Sequence, residues 1–311
     1  MYEERPPAPD LAARVACHWH HVSESGSTQL VVPDACVDLI WGPGGLFVAG
    51  PDTGPMPTKM ATGDVFVGVR FRPGAASDLF GVPLHTLRDQ RVPLSDLPAA
   101  ALLAPVTTPE PATLLAPLTT SEPATLLASI TLHPAASTTP HPRPALRAEM
   151  PFPSTRTAPD LAARHATLTA ATRTLLSHLT TPARPATEAR ATAPARLTDS
   201  TPPADPAAPF IARALRHGRS VSEVARDLGL SERQLHRRSL TAFGYAPKTL
   251  QRIVRFQRAL RLARAGVPFA TVAAEAGYAD QAHLSHEVKR LSGVSLRTLA
   301  PPPSFVLRLL A

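Results

Sequence analysis

The sequence predicts a multidomain α+β protein: a β-rich N-terminal domain, a Pro/Ala/Thr-rich flexible middle, and an all-α C-terminal domain of two helix-turn-helix units joined by a long helix. Three observations carry this reading. Short Val/Ile/Phe runs punctuated by Gly and Pro fill residues 1–97. Prolines recur every few residues through 98–157, which denies that stretch a long helix. The apolar skeleton of "LGLSERQLHRRSLTAFGYAPKTL" (228–250) returns 48 to 49 residues later as "AGYADQAHLSHEVKRLSGVSLRTL" (276–299).

In the first domain, "TQLVVPDACVDLIWGPGGLFVAGPDTGP" and "GDVFVGVRFRPGAA" have the punctuation of a sandwich or barrel. The middle, 98–157, contains a duplicated 12-residue unit, "TTPEPATLLAPL" (107–118) and "TTSEPATLLASI" (119–130). Two copies are too few for a solenoid, so the composition predicts a flexible spacer. A helical segment is expected over 158–180, where Leu161, His165, Leu168, Thr172, Leu175 and Leu179 fall at three- and four-residue spacing. A second Pro/Ala-rich hinge covers 181–209.

The doubled stretch lies in the last domain, 210–305. Val221, Val224, Ala225 and Leu228 form one helical stripe, Gly229 ends that helix, and Ser231 caps a second helix carrying Leu235 and Phe243. Phe269, Val272, Ala273 and Ala276, then Gly277, Asp280, Leu284, Val288 and Leu291, repeat the pattern with one extra residue in the turn. Between the copies, Pro247 and Gly266 bracket a helix of about 19 residues, roughly 28 Å long.

Charge follows the same division. The chain carries +8 overall, but Ala207 to the end holds 17 Lys and Arg against 6 Asp and Glu. Such asymmetry predicts a polyanion partner for the last third, namely double-stranded DNA, with the second helix of each unit in the major groove. Apolar burial leaves Arg233, His236 and Arg237 outward on the first recognition helix, and Gln281, Ala282, Ser285 and His286 on the second. These are the expected base contacts. Lys289 and Arg290 suit phosphates. Arg252, Arg255, Arg258, Arg261 and Arg264 drift around the linker helix by about 60° per step, so only one or two share a face with DNA, and Arg252 and Arg255 are the expected phosphate contacts.

Residues from about Phe210 to Leu299 resemble the AraC-type DNA-binding domain, and "VPDACVDLIW" with "GVRFRPGAA" resembles the cupin-like sensor domain that accompanies one group of these regulators. The resemblance implies a transcription regulator reading two successive major-groove segments. It implies as partners DNA, an unknown small-molecule effector, RNA polymerase and a second copy of the chain. The second unit departs from the family pattern, with His286 where Arg is usual, Val288 and Ser292 where Phe is usual, and Leu296 where Pro is usual.

The rival reading is a cupin-type metal-dependent enzyme or sensor. His18, His20 and Glu24 in "HWHHVSE" have the spacing of cupin metal sites, and alternate strand residues share a face. The flanking glycines of that motif are missing and no later His lies on a clear strand, so the expectation is a solvated His-rich edge strand, with no metal, no cofactor and no catalytic residue. Cys36 is read as a small buried cysteine and not a methyl acceptor, since only Cys17 is available as company. No apolar run of about 18 residues occurs and the start "MYEERPPAPD" is polar, so neither membrane association nor a secretory signal is expected, and the location expected is cytoplasmic.

Overall fold

The computed structural model describes residues 1–107, 161–180 and 204–300. The duplicated unit, most of the spacer and most of the 181–209 hinge lie outside the described residues.

The N-terminal domain is built from eight strands: β1 (Tyr2–Arg5), β2 (Val15–Val22), β3 (Ser27–Val31), β4 (Val37–Gly42), β5 (Gly45–Ala49), β6 (Met56–Met60), β7 (Val65–Phe71) and β8 (Arg91–Pro93). Six form an antiparallel sheet of order β1-β2-β7-β4-β5-β8, while β3 and β6 pair as a two-stranded sheet. Odd-numbered residues of β7 (Val65, Val67, Val69, Phe71) point into the main core, together with Leu39 and Val48. The even-numbered face carries Trp19, Ile40 and Ala49 as a small separate cluster. This alternation is the period of 2 that a half-covered strand requires.

Two helices complete this core. The helix α1 (Ala100–Thr107) begins inside the stretch that composition marks as spacer, and its Leu103 is buried in the sheet's core. The helix α2 (Leu161–Thr180) buries Leu168, Ala171 and Leu175 there too. The expected helical segment is therefore the cover of the sheet, separated from it in sequence by the whole spacer.

The expectation of a solvated edge strand at "HWHHVSE" is overturned. β2 lies between β1 and β7, with His18 7% and His20 1% exposed. Glu24 is not with them. It is exposed, 3.6 Å from the Met1 amine.

The C-terminal domain contains α3 (Ala208–Arg216), α4 (Val221–Asp227), α5 (Glu232–Phe243), α6 (Pro247–Arg264), α7 (Phe269–Ala276), α8 (Gln281–Ser292) and the single turn α9 (Leu296–Leu299). One apolar cluster runs through all of them, with Ile211, Val224, Leu235, Phe243, Phe256, Val272, Leu284 and Val288 at its centre. Burying that cluster, at about 25 cal/mol per Å² of apolar surface, is what makes helices this short hold their shape.

The two domains touch. Val32 and Ala35, from the loop before β4, pack against the helical core, and Gln257 of α6 donates to the Pro33 carbonyl at 2.6 Å. Gly244 ends α5 at φ +81°, and a Cβ there would stand 2.6 Å from Pro51 Cγ, so only glycine permits this approach.

Candidate nucleic-acid interface

Each unit is set by local chemistry at its turn. In the first, Ser220 and Glu223 form a capping box at the start of α4, and Ser231 and Gln234 form another at the start of α5. Gln234 Oε1 accepts from the Ser231 amide at 2.8 Å, while Ser231 Oγ accepts from the Gln234 amide at 3.3 Å. Gly229, at φ +64°, turns the chain between the two helices. In the second, Gly277 takes φ +81°, and Asp280 Oδ1 accepts from the His283 amide at 2.7 Å to start α8. The extra residue expected in the second turn is present between these caps.

The leading faces of α5 and α8 are free of the rest of the protein. Arg233, His236 and Arg237 on α5 are exposed, as are Gln281, Ala282, Ser285, His286 and Lys289 on α8. Among the described residues none of the polar side chains in this set makes a hydrogen bond or ion pair. Leu235 and Leu284, the anchors beneath them, are fully buried. Arg290 is exposed and lies 3.9 Å from Glu287.

The linker helix distributes its arginines around its circumference, as a three-residue step requires. Arg252 donates to both oxygens of Glu287, at 2.9 and 3.4 Å, tying α6 to α8. Burial alone would raise the Glu287 carboxyl, but the hydrogen bond and charge of Arg252 outweigh it and hold the group below its ordinary range. Arg255 lies 4.4 Å from the centre of the Tyr278 ring and donates to the Gly277 carbonyl at 3.2 Å. Both arginines expected at phosphates thus have partners inside the domain. Arg258 and Arg261 instead line, with Arg216 and His217, a cleft of about 420 Å³. Arg216 and His217 had no motif to single them out, since only the crossing of α3 over α6 brings them to this cleft.

The two units differ beneath the surface. Phe243 of α5 is buried, and its counterpart in α8 is Ser292, also buried, whose hydroxyl donates to the Val288 carbonyl at 2.7 Å. The second unit fills the missing ring's place with a satisfied hydroxyl and smaller side chains.

In the N-terminal domain, Arg70 donates to both oxygens of Asp38, at 3.2 and 3.1 Å, and stands 3.5 Å from Asp34 and from Glu4. Burial pushes the Asp38 carboxyl up to about 6 despite this partner. Burial also raises the Cys36 thiol well above its ordinary value, which suppresses the thiolate a methyl acceptor needs. Among the described residues no helix is long and apolar enough to cross a membrane.

Comparison with known proteins finds two matched regions. Residues 3–93 match a domain of unknown function, DUF6597, and residues 212–300 match a helix-turn-helix domain. No curated protein matches the chain. Two similar solved structures are ToxT from Vibrio cholerae, at 8% identity over 99% of this chain and 98% of that one, and an apo lysine-to-alanine variant of ToxT from Vibrio cholerae strain SCE256, at 9% identity over 94% and 98%. The TM-score is 0.39 for each. Two capped helix pairs bridged by α6, with both second helices presenting unpaired polar faces, and the match over 212–300 identify this part of the chain as a DNA-binding helix-turn-helix domain.

Proposed function

We propose that the chain reads two adjacent major-groove segments of double-stranded DNA, one through α5 and one through α8, and that the N-terminal domain couples this reading to a small-molecule effector. The observation that carries the proposal is the set of exposed side chains with no protein partner on the leading faces of both recognition helices. Arg233 and Arg237 suit guanine edges, Gln281 an adenine edge, and His236, Ser285 and His286 adaptable contacts beside the apolar Ala282. Lys289 and Arg290 lie further along α8 and suit phosphates. Arg252 and Arg255 act in this reading chiefly as braces that set the angle between the two units, because each already donates inside the domain, Arg252 to Glu287 and Arg255 to the Gly277 carbonyl. The coupling route is the contact of the Val32–Ala35 loop with α6, the helix that spaces the units.

The test is selection of bound sequences from a random DNA library with the full chain. The expected motif has two informative blocks about one helical turn, or roughly 10 base pairs, apart. Enrichment of a single block, unchanged when α8 carries Gln281→Ala and His286→Ala together, would remove the second segment from the reading.

A further inference from the structure

The cleft where α3 crosses α6 gathers positive charge and holds nothing to balance it. Arg216 lies in the last turn of α3 and His217 caps its end, while Arg258 and Arg261 stand one turn apart on α6. These four residues line a cleft of about 420 Å³, and no Asp or Glu lines it. Among the described residues none of the four side chains makes a hydrogen bond or an ion pair. Other arginines of the same domain do find partners, Arg219 at Asp227, 2.8 Å away, and Arg252 at Glu287. Three guanidiniums brought together without an acid repel one another, and an anion between them removes that cost. Arg216 and Arg261 also line an adjoining cleft of about 260 Å³, whose other walls include Asp34 and Gln257. Asp34 belongs to the loop that meets α6, and Gln257 donates to the Pro33 carbonyl there. The Asp34 carboxylate and the Gln257 amide oxygen are hydrogen-bond acceptors.

We propose that the joined clefts bind a small phosphorylated sugar or polyol, with its phosphate among Arg216, Arg258 and Arg261 and its hydroxyls on Asp34 and the Gln257 amide oxygen. Guanidinium forks match phosphate oxygens two at a time, and His217 adds an N–H donor. The larger cleft alone falls within the roughly 300–1,000 Å³ of a small-ligand site. No Phe, Tyr or Trp lines either cleft, so nothing is there to stack on a base, which favours a sugar phosphate over a nucleotide. A DNA strand carries the same phosphate chemistry, but a backbone laid along both clefts would also meet the Asp34 carboxylate, and like charge opposes it. The ligand touches the Val32–Ala35 loop and α6 at once, where the two domains meet. Its role as the effector rests on the coupling proposed above; its binding does not.

The experiment is calorimetric titration of the full chain, free of DNA, with ribose 5-phosphate, inorganic phosphate and ribose. The expected result is one saturable equivalent of ribose 5-phosphate, weaker binding of inorganic phosphate, and none of ribose. Affinity for the ester should fall at least about tenfold when Arg258→Gln and Arg261→Gln are combined, and stay unchanged in Arg297→Gln, an exposed arginine of α9. A parent chain that binds neither phosphate compound, or a double variant that binds the ester as the parent does, would overturn the site. Equal affinity for inorganic phosphate and the ester would overturn the hydroxyl contacts at Asp34 and Gln257. The ligand-free double variant should melt with the parent, because the two side chains hold no other part of the protein. Should it melt lower, Arg216→Gln, on the wall the clefts share, carries the same expectation. A DNA arm separates the two sources of phosphate. The salt slope of DNA binding by the double variant, without the ester, is expected to match the parent's, and a slope reduced by about one or more would assign the cleft to the DNA backbone instead. Selection from the random DNA library is a separate result, since α5 and α8 read its two blocks whether or not the cleft is filled.

Discussion

Arg233 and Arg252 are both arginines of the same basic domain, yet the structure gives them opposite circumstances. Arg233 and Arg237 are exposed and unpaired, so replacing either with alanine should cost about 1–3 kcal/mol on the preferred site and relax base preference there, as binding curves on operator variants would show. Arg252 holds Glu287, which is only 7% exposed. Arg252→Ala strands that carboxylate and should lower the stability of the chain by about 1–3 kcal/mol in urea unfolding, leaving the salt slope of DNA binding nearly unchanged. A slope that drops by about one would instead make Arg252 a phosphate contact. Asp38 gives a pH signature. Its folded pKa, about 6, lies above the unfolded value, so the folded state holds its proton more tightly, and this group's contribution to stability falls as pH rises from about 4 to 6. Unfolding measured across that window should show a slope that Asp38→Asn removes.

At the scale of elements, the two units share a plan and differ in how firmly it is held. Ser231 and Gln234 satisfy two amide donors at the head of α5, and Ser231→Ala should cost about 1 kcal/mol of stability, read from thermal unfolding. α8 starts on the Asp280 cap, with His283 Nδ1 accepting only a long 3.4 Å bond from the Ala279 amide, and Ser292 replaces the ring that Phe243 supplies to α5. Together with the single cationic pair Lys289 and Arg290 at its far end, this predicts a lopsided operator. Saturating mutagenesis of the DNA should find one stringent half-site, read by Arg233 and Arg237, and one tolerant half-site read through α8. Equal stringency in both halves would contradict the asymmetry.

Across the whole molecule, the contact between the domains predicts that DNA affinity depends on both. Gly244 has no room for a side chain against Pro51 and the Leu84 carbonyl, so Gly244→Val should part the first unit from the sheet domain while each core stays folded. Limited proteolysis should then cut between the domains faster, and affinity for a two-segment site should change more than affinity for either half-site alone. Unchanged proteolysis would show that the contact does not couple the domains.

The sequence by itself determined what short-range physics controls. Ser231, Gly229, Gly277 and Asp280 announced the two turns, Pro247 and Gly266 the ends of α6, and alternation of apolar residues the face of each helix to be buried. Those signals act within a few residues, so spacing alone exposes them. The outward faces of α5 and α8 followed from the same periodicity. Tertiary structure decided the rest. The inward engagement of Arg252 and Arg255 depends on where α8 and the Gly277 turn come to rest, which no period of α6 encodes. His18 and His20 were legible as a pair on one strand face, but whether that strand is at an edge, and which helix covers it, depends on strand order. His165 meets them from across about 145 residues of chain. Composition also placed the spacer too early at Ala100, because Leu103 is drawn into a helix by a core that forms only when the sheet does. Local pattern specifies which side of an element is apolar, and only packing specifies what that side meets.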